Sequence, residues 1–463
     1  MSSILILLAA LSEMRLNKFV QRRFDGLLMT NSFDEVPYDA VVLGAGISGL
    51  VATSILLRDG ARNVIVIDEY AQSGGNHIDC KIGDYTFDVG SYIFQDDSPL
   101  LSHFPELLPL YIEIHPSWGR LTPQGAVSHY PLSIADDLVS AGPMEWLRMA
   151  GSIVFARTFR RKIRSAKDFA TFWIGKRLLE RTGLGFYLSR FYGFPADQVD
   201  VKFAEKRMLW IKEHATLRNH VARALRRAPD APTNRQLVRP REGFAFLYQK
   251  AVERLEGRGA SFVLGAKITG VERQNGGFSI VLGNERAIAG RRLVSTVPLA
   301  RIQDLCGLQT HRELKTVTLL TLFYSFSGKR GFTQSILYNF SREGAWKRLT
   351  MHSDFYGKCH GREFFSVEIN AEHVAHDRDK ADCDFRTHTC DNSLFLGDLR
   401  LEGAHALGNA YPIYTDQADE RAGRAVAALR QLGIESIGRQ GRFDYQPTAR
   451  DSTLKAEAAL RSD

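Results

Sequence analysis

Six consecutive residues, Gly44-Ala45-Gly46-Ile47-Ser48-Gly49, could hold a phosphate ester without a charged side chain. Gly44 would permit a tight turn, Gly46 would let a pyrophosphate approach the main chain, and Gly49 would let a helix lie close on a strand. Ser48 would add a hydroxyl in the helix's first turn, where free N–H groups and the helix dipole favour an anion. Roughly 20 residues further on, where such motifs carry an acid, stand Asp68 and Glu69. A carboxylate there can accept hydrogen bonds from ribose hydroxyls.

The elements needed to position these groups are legible around them. Tyr38 to Leu43 reads as a short buried strand, Leu50 to Arg58 as a helix and Asn63 to Ile67 as a second strand. This strand–turn–helix–strand setting separates a dinucleotide fingerprint from a chance glycine turn. A second glycine pair follows in Gly74-Gly75-Asn76-His77, then a third site at Gly90. Much later, Gly438-Arg439-Gln440-Gly441 precedes a helix expected from about Ala449, whose N-terminus could aim at a bound ring.

Together these segments resemble the extended FAD fingerprint of glutathione-reductase-like flavoproteins. Arg239-Pro240-Arg241-Glu242-Gly243-Phe244 resembles the loop before a helix in that superfamily, here Phe246 to Leu255. Ser261 to Glu272, with Ile268, reads as two short strands on the adenine side, and Leu293 to Leu299 as the strand returning to the cofactor domain. The resemblance implies FAD, held without a covalent link. It places Gly44, Gly46, Ser48, Gly49, Asp68 and Glu69 at the cofactor. It adds Gly74, Gly75, Asn76, Gly90 and Ile268 from the middle of the fingerprint, and Arg439 and Gly441 from the C-terminal segment.

Within that superfamily the chain resembles the branch of UDP-galactopyranose mutase, protoporphyrinogen oxidase and the amine oxidases. Gly90-Ser91-Tyr92-Ile93-Phe94-Gln95 is similar to the mutase's G-A-H-I-F-H, and Trp346-Lys347-Arg348 to a run whose arginine grips a substrate diphosphate. The match makes Arg348, Tyr92 and Arg439 the catalytic candidates and puts Arg342 near them. Departures from the mutase leave UDP-galactopyranose itself unsupported as substrate: Tyr92 and Gln95 replace two histidines, and Arg190-Phe191-Tyr192-Gly193-Phe194-Pro195 replaces a Trp-Gly pair. About 40 residues (the spacing of the oxidase side) separate Glu368 from Tyr411, with a helix-like piece at Asp391 to Leu401. Two activities follow. One is a mutase-like enzyme acting on a nucleotide-linked or other anionic sugar. The other is an FAD-dependent oxidase or dehydrogenase, with Phe323, Tyr324, Phe326, Tyr338 and Phe340 lining an apolar cavity.

Composition narrows the alternatives. The 463 residues are 44% hydrophobic and 24% charged, as in globular proteins rather than disordered or disulfide-stapled ones. No apolar run reaches the ~18 residues of a membrane span, and the five cysteines form no C-x-x-C pair, so a cytoplasmic protein is expected. His373, His376, Cys383, His388 and Cys390 read as a polar loop with no common zinc spacing, and no metal is expected. Hydrolase elbows and P-loops are absent from the sequence, and no nucleic-acid module is recognisable.

The net charge of +8 is concentrated. Arg157 to Arg190 carries ten cations against two acids, and Lys202 to Arg241 eleven against three. Such fields attract phosphates, on a small anionic substrate or, through 157–190, on a membrane surface.

The expected architecture is α/β: a Rossmann-like FAD-binding domain interwoven with an α+β substrate domain. Residues 1–37 form a tail, in which the apolar run Ser3 to Ser12 precedes its cations, unlike a secretory signal. The FAD domain takes 38–134, 231–305 and 405–463. A helical substrate-side region takes 135–230, and a substrate sheet 306–404, with Val317 to Ser327 and Glu363 to Asn370 antiparallel.

Overall fold

The computed structural model describes residues 37–461, apart from 91, 131–136, 138–140, 160–161, 202–233, 275, 310–313 and 415–416. The expected tail, except Pro37, lies outside the described residues. So do most of the Lys202–Arg241 basic stretch and the end of the helical region.

Tyr38–Leu43 and Val64–Asp68 run parallel, Ala40 beside Val64 and Leu43 beside Ile67. Val41, Leu43, Ile65 and Ile67 enter one core cluster, while Ala40, Val42, Val64 and Val66 enter another. Both faces are covered, which is why these strands read as unbroken apolar runs rather than alternating ones. Ala260–Leu264 extends the sheet beyond Val64–Asp68, and Ala287–Ser295 pairs parallel with Tyr38–Leu43 on the other side. Gly277–Leu282, Ile268–Gln274 and Ile434–Ser436 complete seven strands. This is the Rossmann-like architecture expected, and helix Ile47–Arg58 crosses between its first two strands.

A second seven-stranded sheet is largely antiparallel. Its order is Phe395–Pro412, Thr316–Arg330, Glu363–Asn370, Trp346–Met351, Ile336–Asn339, Trp118–Leu121 and Val127–His129. Thr316–Arg330 and Glu363–Asn370 pair antiparallel, with Leu320 opposite Ile369. Two strands from within 38–134 join this sheet, and Phe395–Pro412 runs across residue 404, so strand pairing does not follow those expected segment limits.

Two local expectations are corrected. The helix-like piece at Asp391 to Leu401 is mostly strand, because Phe395 to Leu401 pairs with Arg330 to Tyr324 along the sheet edge. Tertiary pairing overrides a weak local preference there. The polar loop that holds Cys383, His388 and Cys390 is instead helix Arg378–Asp391, started by Asp377, whose side chain accepts from the backbone N–H groups of Asp379 and Lys380. His388 is a packing residue: its Nδ1 accepts from Trp346 Nε1 at 2.9 Å, and its Nε2 meets Ser341 Oγ at 2.9 Å. Among the described residues no group of three or more His, Cys, Asp or Glu side chains could hold a metal, and no helix is long and apolar enough to cross a membrane.

Candidate active site

The glycine motif folds as its spacing implies. Gly44 sits at φ +102°, a left-handed-side conformation that disfavours any side chain, and a Cβ on Gly49 would overlap the Gly44 carbonyl oxygen. Gly46 begins helix Ile47–Arg58 with no side-chain cap. Its first-turn N–H groups therefore face the loop without a competing acceptor.

Two distant segments close over this loop. The Gly74 N–H donates to the Ala45 carbonyl at 2.9 Å, and a Cβ on Gly75 would come within 2.9 Å of Gly46 Cα. Gly438, at φ +80°, leaves no room for a Cβ, which would fall 2.6 Å from Ser48 Oγ. Gly441 is buried in the short helix Gly438–Gly441. Glycine backbone at 74–75 and at 438 thus approaches the Gly44–Gly49 loop where side chains would fill the space, forming a cradle whose open donors are the first-turn N–H groups of helix Ile47–Arg58.

Asp68 ends its strand 8% exposed, and burial raises its pKa against the pull of two backbone hydrogen bonds. Those bonds run from Ala45 N–H to Oδ2 at 2.5 Å and from Tyr70 N–H to Oδ1 at 2.8 Å. Each oxygen keeps a second lone pair for a hydroxyl donor. Glu69 turns outward, accepting from Arg301 Nη2 at 2.7 Å and from Ile268 N–H at 3.3 Å. The two acids therefore divide: Asp68 braces the glycine turn, and Glu69 ties the strand end to Ile268.

Two of the three catalytic candidates, Arg348 and Tyr92, meet at the second sheet. Arg348 donates to the Glu368 carboxylate and, at 2.6 Å, to the Gly90 carbonyl, and its guanidinium lies 5.5 Å from the centre of the Tyr92 ring. Glu368 also takes Lys347 Nζ at 3.2 Å. Burial opposes charge on Arg348 and Glu368 alike, yet their attraction prevails, holding Arg348 above and Glu368 below its ordinary range. The Arg348 Nε atom is buried with no protein partner. Tyr92 is 2% exposed, donates to Thr350 Oγ1 at 2.7 Å and has its pKa pushed up, chiefly by burial, so the phenol stays neutral. Gly90 and Asn76 adjoin, an added Gly90 Cβ lying 4.0 Å from the Asn76 carbonyl oxygen.

Arg439 stands apart from this pair. It donates to the Ala410 carbonyl at 2.5 Å, and its charge adds to burial in lowering the His77 pKa to about 4. His77 lies beside the rings of Phe244 and Tyr248, 5.6 and 5.8 Å away between centres, and meets Tyr248 OH at 2.5 Å. Arg342 is exposed and Arg190 is buried in a clamp on the carbonyls of Asn339, Ser341, Glu343 and Gly344. The Arg190 segment braces a loop of the second sheet.

A cavity of about 250 Å³ opens where Trp118 and Arg348 of the second sheet meet the segment Tyr92 to Ser98, Gln236 and the start of helix Ala449–Leu460. Tyr92, Ile93, Phe94 and Trp118 form its apolar wall, Gln95, Ser98 and Gln236 its neutral polar one. Arg348, Thr448, Ala449 and Arg450 complete it. Ser98 Oγ and Gln236 Oε1 are buried without a protein partner. The five aromatics expected to line an apolar cavity do not. Phe323, Tyr324 and Phe326 are fully buried in sheet cores, Phe340 stacks on Tyr187, and Tyr338 backs the wall by stacking on Trp118. Strand Thr316–Arg330 is covered on both faces, so Phe323 enters one core cluster and Tyr324 and Phe326 another. Trp118, Ser98 and Gln236 were missed because nothing in their local sequence marks them. The Thr448-Ala449-Arg450 corner had a signal, the T-x-x-D capping box from Thr448 to Asp451.

The model of flavin-containing amine oxidoreductases matches residues 47–356. The chain belongs to that family. Its members are FAD-dependent enzymes acting on small molecules, and FAD is the cofactor of this one. The glycine cradle fits such a group. Prolycopene isomerase 2 of an Oncidium hybrid cultivar and prolycopene isomerase of Arabidopsis thaliana are each 46% identical over 56 residues. The match spans 12% of this chain and only 9% of those relatives. Likeness of fold reaches further. Reduced UDP-galactopyranose mutase superposes with a TM-score of 0.73 at 16% identity, over 91% of this chain and 94% of that one. A protein assigned as a protoporphyrinogen oxidase of Exiguobacterium sp. 255-15 gives 0.70 at 16%, over 93% and 99%. Putrescine oxidase gives 0.56 at 14%, over 92% and 99%.

Proposed function

We propose that the protein is an FAD-dependent oxidoreductase acting on a small molecule with an apolar body and few negative charges. One observation carries this reading. Both cations of the cavity wall already have carboxylate partners: Arg348 pairs with Glu368, and Arg450 lies 2.8 Å from Asp97. A diphosphate brings at least two negative charges, whereas Arg348, Lys347 and Glu368 together carry one net positive charge and Arg450 is balanced by Asp97. The remaining lining is aromatic and neutral polar, a surface suited to an apolar substrate oriented by a few hydrogen bonds.

In this reading the Gly44–Gly49 turn, Gly74-Gly75 and Gly438 receive the pyrophosphate side of FAD. Asp68, Glu69 and Ile268 lie toward the ribose and adenine, and Asn76, Gly90, Arg439 and Gly441 toward the flavin. Bound FAD supplies the electron-accepting ring. Tyr92, held neutral, and Arg348, held charged, fix the polar edge of the cavity. Ser98 and Gln236 offer hydrogen bonds to substrate, while Phe94 and Trp118 exclude water.

The mutase-like reading keeps one observation in its favour, the buried Arg348 Nε that still lacks an acceptor. Two measurements separate the readings. Oxidised holoenzyme is mixed anaerobically with a panel of small-molecule electron donors, and UDP binding is titrated on wild type and Arg348→Lys. Loss of oxidised-flavin absorbance that returns in air, with no UDP binding, supports the oxidoreductase. UDP binding that collapses in Arg348→Lys, with turnover only of reduced enzyme and no net redox change, overturns it in favour of an anionic-sugar isomerase.

A further inference from the structure

Helix Pro143–Phe159 is built inside out for a surface helix. It packs on helices Ala166–Ile174 and Lys176–Thr182 through Met149, Ser152, Ile153 and Ala156. The approach is close at Gly175, where a Cβ would come within 2.9 Å of the Ile153 backbone nitrogen, and the Arg177 N–H donates to Ser152 Oγ at 3.2 Å. The opposite face should be polar. Instead Met144, Leu147, Val154, Phe155 and Phe159 follow one another at helical spacing on the solvent side, Leu147 62% and Phe159 69% exposed. Gly151 lies between them in open space. The one hydroxyl in the stripe, Thr158, is satisfied within the helix by the Val154 carbonyl at 2.8 Å. Contiguous apolar surface of this kind marks a contact site.

Charge identifies the contact. From Pro143 to Lys167 the sequence holds seven cations and a single acid, Glu145. That acid takes Arg177 at 2.5 Å and Arg148 at 3.6 Å; Arg148, within the stripe, and Arg157, which also donates to the Trp173 carbonyl, are exposed, as are Lys162 and Arg164 beyond the helix end. Much of the cationic stretch further on is committed elsewhere: Lys176 pairs with Glu180, Arg181 donates to the Asp137 carbonyl, and Arg190 is buried. We infer that the outward face of helix Pro143–Phe159 lies in the interface of an anionic lipid bilayer, its apolar side chains among the acyl chains and its flanking arginines and lysines at the headgroups. An apolar stripe in a cationic rim is the arrangement that binds such an interface, whereas a second copy of the same face would bring like charges together.

The test is flotation of FAD-loaded full-length protein with phosphatidylcholine vesicles, with and without phosphatidylglycerol. Wild type should float with the mixed vesicles, float poorly with phosphatidylcholine alone, and release as salt rises. Leu147→Glu and Phe159→Glu should each weaken binding roughly tenfold or more while keeping flavin content and the circular dichroism spectrum. Wild type that stays in solution, or variants that bind vesicles equally well, would overturn the inference. So would light scattering that shows a wild-type dimer made monomeric by Leu147→Glu, because the face would then join two copies of the chain.

Discussion

Arg348 and Glu368 stand side by side on neighbouring strands, in register at the pairing of Trp346–Met351 with Glu363–Asn370. They form an ion pair in which Arg348 is part of the cavity wall and Glu368 is buried behind it. Removing one partner leaves the other charge in a site that water does not reach, a situation that costs about 3–5 kcal/mol. Arg348→Ala should therefore lower unfolding free energy by about that amount in chemical denaturation, less whatever Lys347 recovers. Arg348→Lys should lose less. A surface arginine would show under ~1 kcal/mol.

The same pair sets an acid limit. The Glu368 pKa is lower in the folded protein than in the unfolded chain, so its stabilisation is complete above the ordinary carboxylate range and is lost as pH falls toward the folded value. Glu368→Gln should flatten that part of the stability–pH curve in guanidinium titrations, while destabilising the protein at neutral pH. An unchanged acid slope would show that Glu368 is not ionised.

His352 gives a second, separate slope. It is fully buried, its Nε2 meets Ser366 Oγ at 2.9 Å, and burial followed by Arg239 and Arg348 lowers its pKa to about 3. The unfolded chain takes up a proton below about 6.5 that the folded protein refuses. Stability should fall as pH drops from there toward 3, and His352→Gln should remove that component. The flavin reaction should show no ionisation from His352 between about pH 5 and 8, the range in which unperturbed histidines titrate.

The glycine turn separates folding from cofactor binding. Gly49→Ala forces a methyl group onto the Gly44 carbonyl and should give a poorly folded protein. Gly46→Asp meets ordinary packing, its Cβ 3.4 Å from Gly75 Cα, but would place a carboxylate where the pyrophosphate is proposed to lie. It should fold and be colourless, whereas wild type should be yellow and release FAD on acid treatment. A yellow Gly46→Asp protein would move the cofactor away from this turn.

Thr448 begins helix Ala449–Leu460 with a reciprocal cap. Its hydroxyl accepts from Asp451 N–H at 3.1 Å, and Asp451 Oδ2 accepts from Thr448 N–H at 3.2 Å. Thr448→Ala should cost about 1 kcal/mol in unfolding free energy. Thr448→Ser should recover most of it, which a mere loss of packing volume would not allow.

The sequence by itself determined the cofactor half of this protein. A glycine needed at Gly44, Gly46 and Gly49 is a local backbone requirement, and unbroken apolar runs at Tyr38–Leu43 and Val64–Asp68 report a sheet buried on both faces. Such constraints act over a few residues and leave their mark in residue type and spacing. Long-range pairing decided the rest. Phe395–Pro412 is strand because Thr316–Arg330 offers it a continuous edge, despite a sequence that reads as helix-like from Asp391. Whether Arg348 faced solvent or a carboxylate depended on Glu368, and the cavity wall brings together Phe94, Trp118, Gln236 and Thr448 from four separate segments. No single stretch encodes those meetings, since the contact energy arises only when distant segments share one desolvated surface.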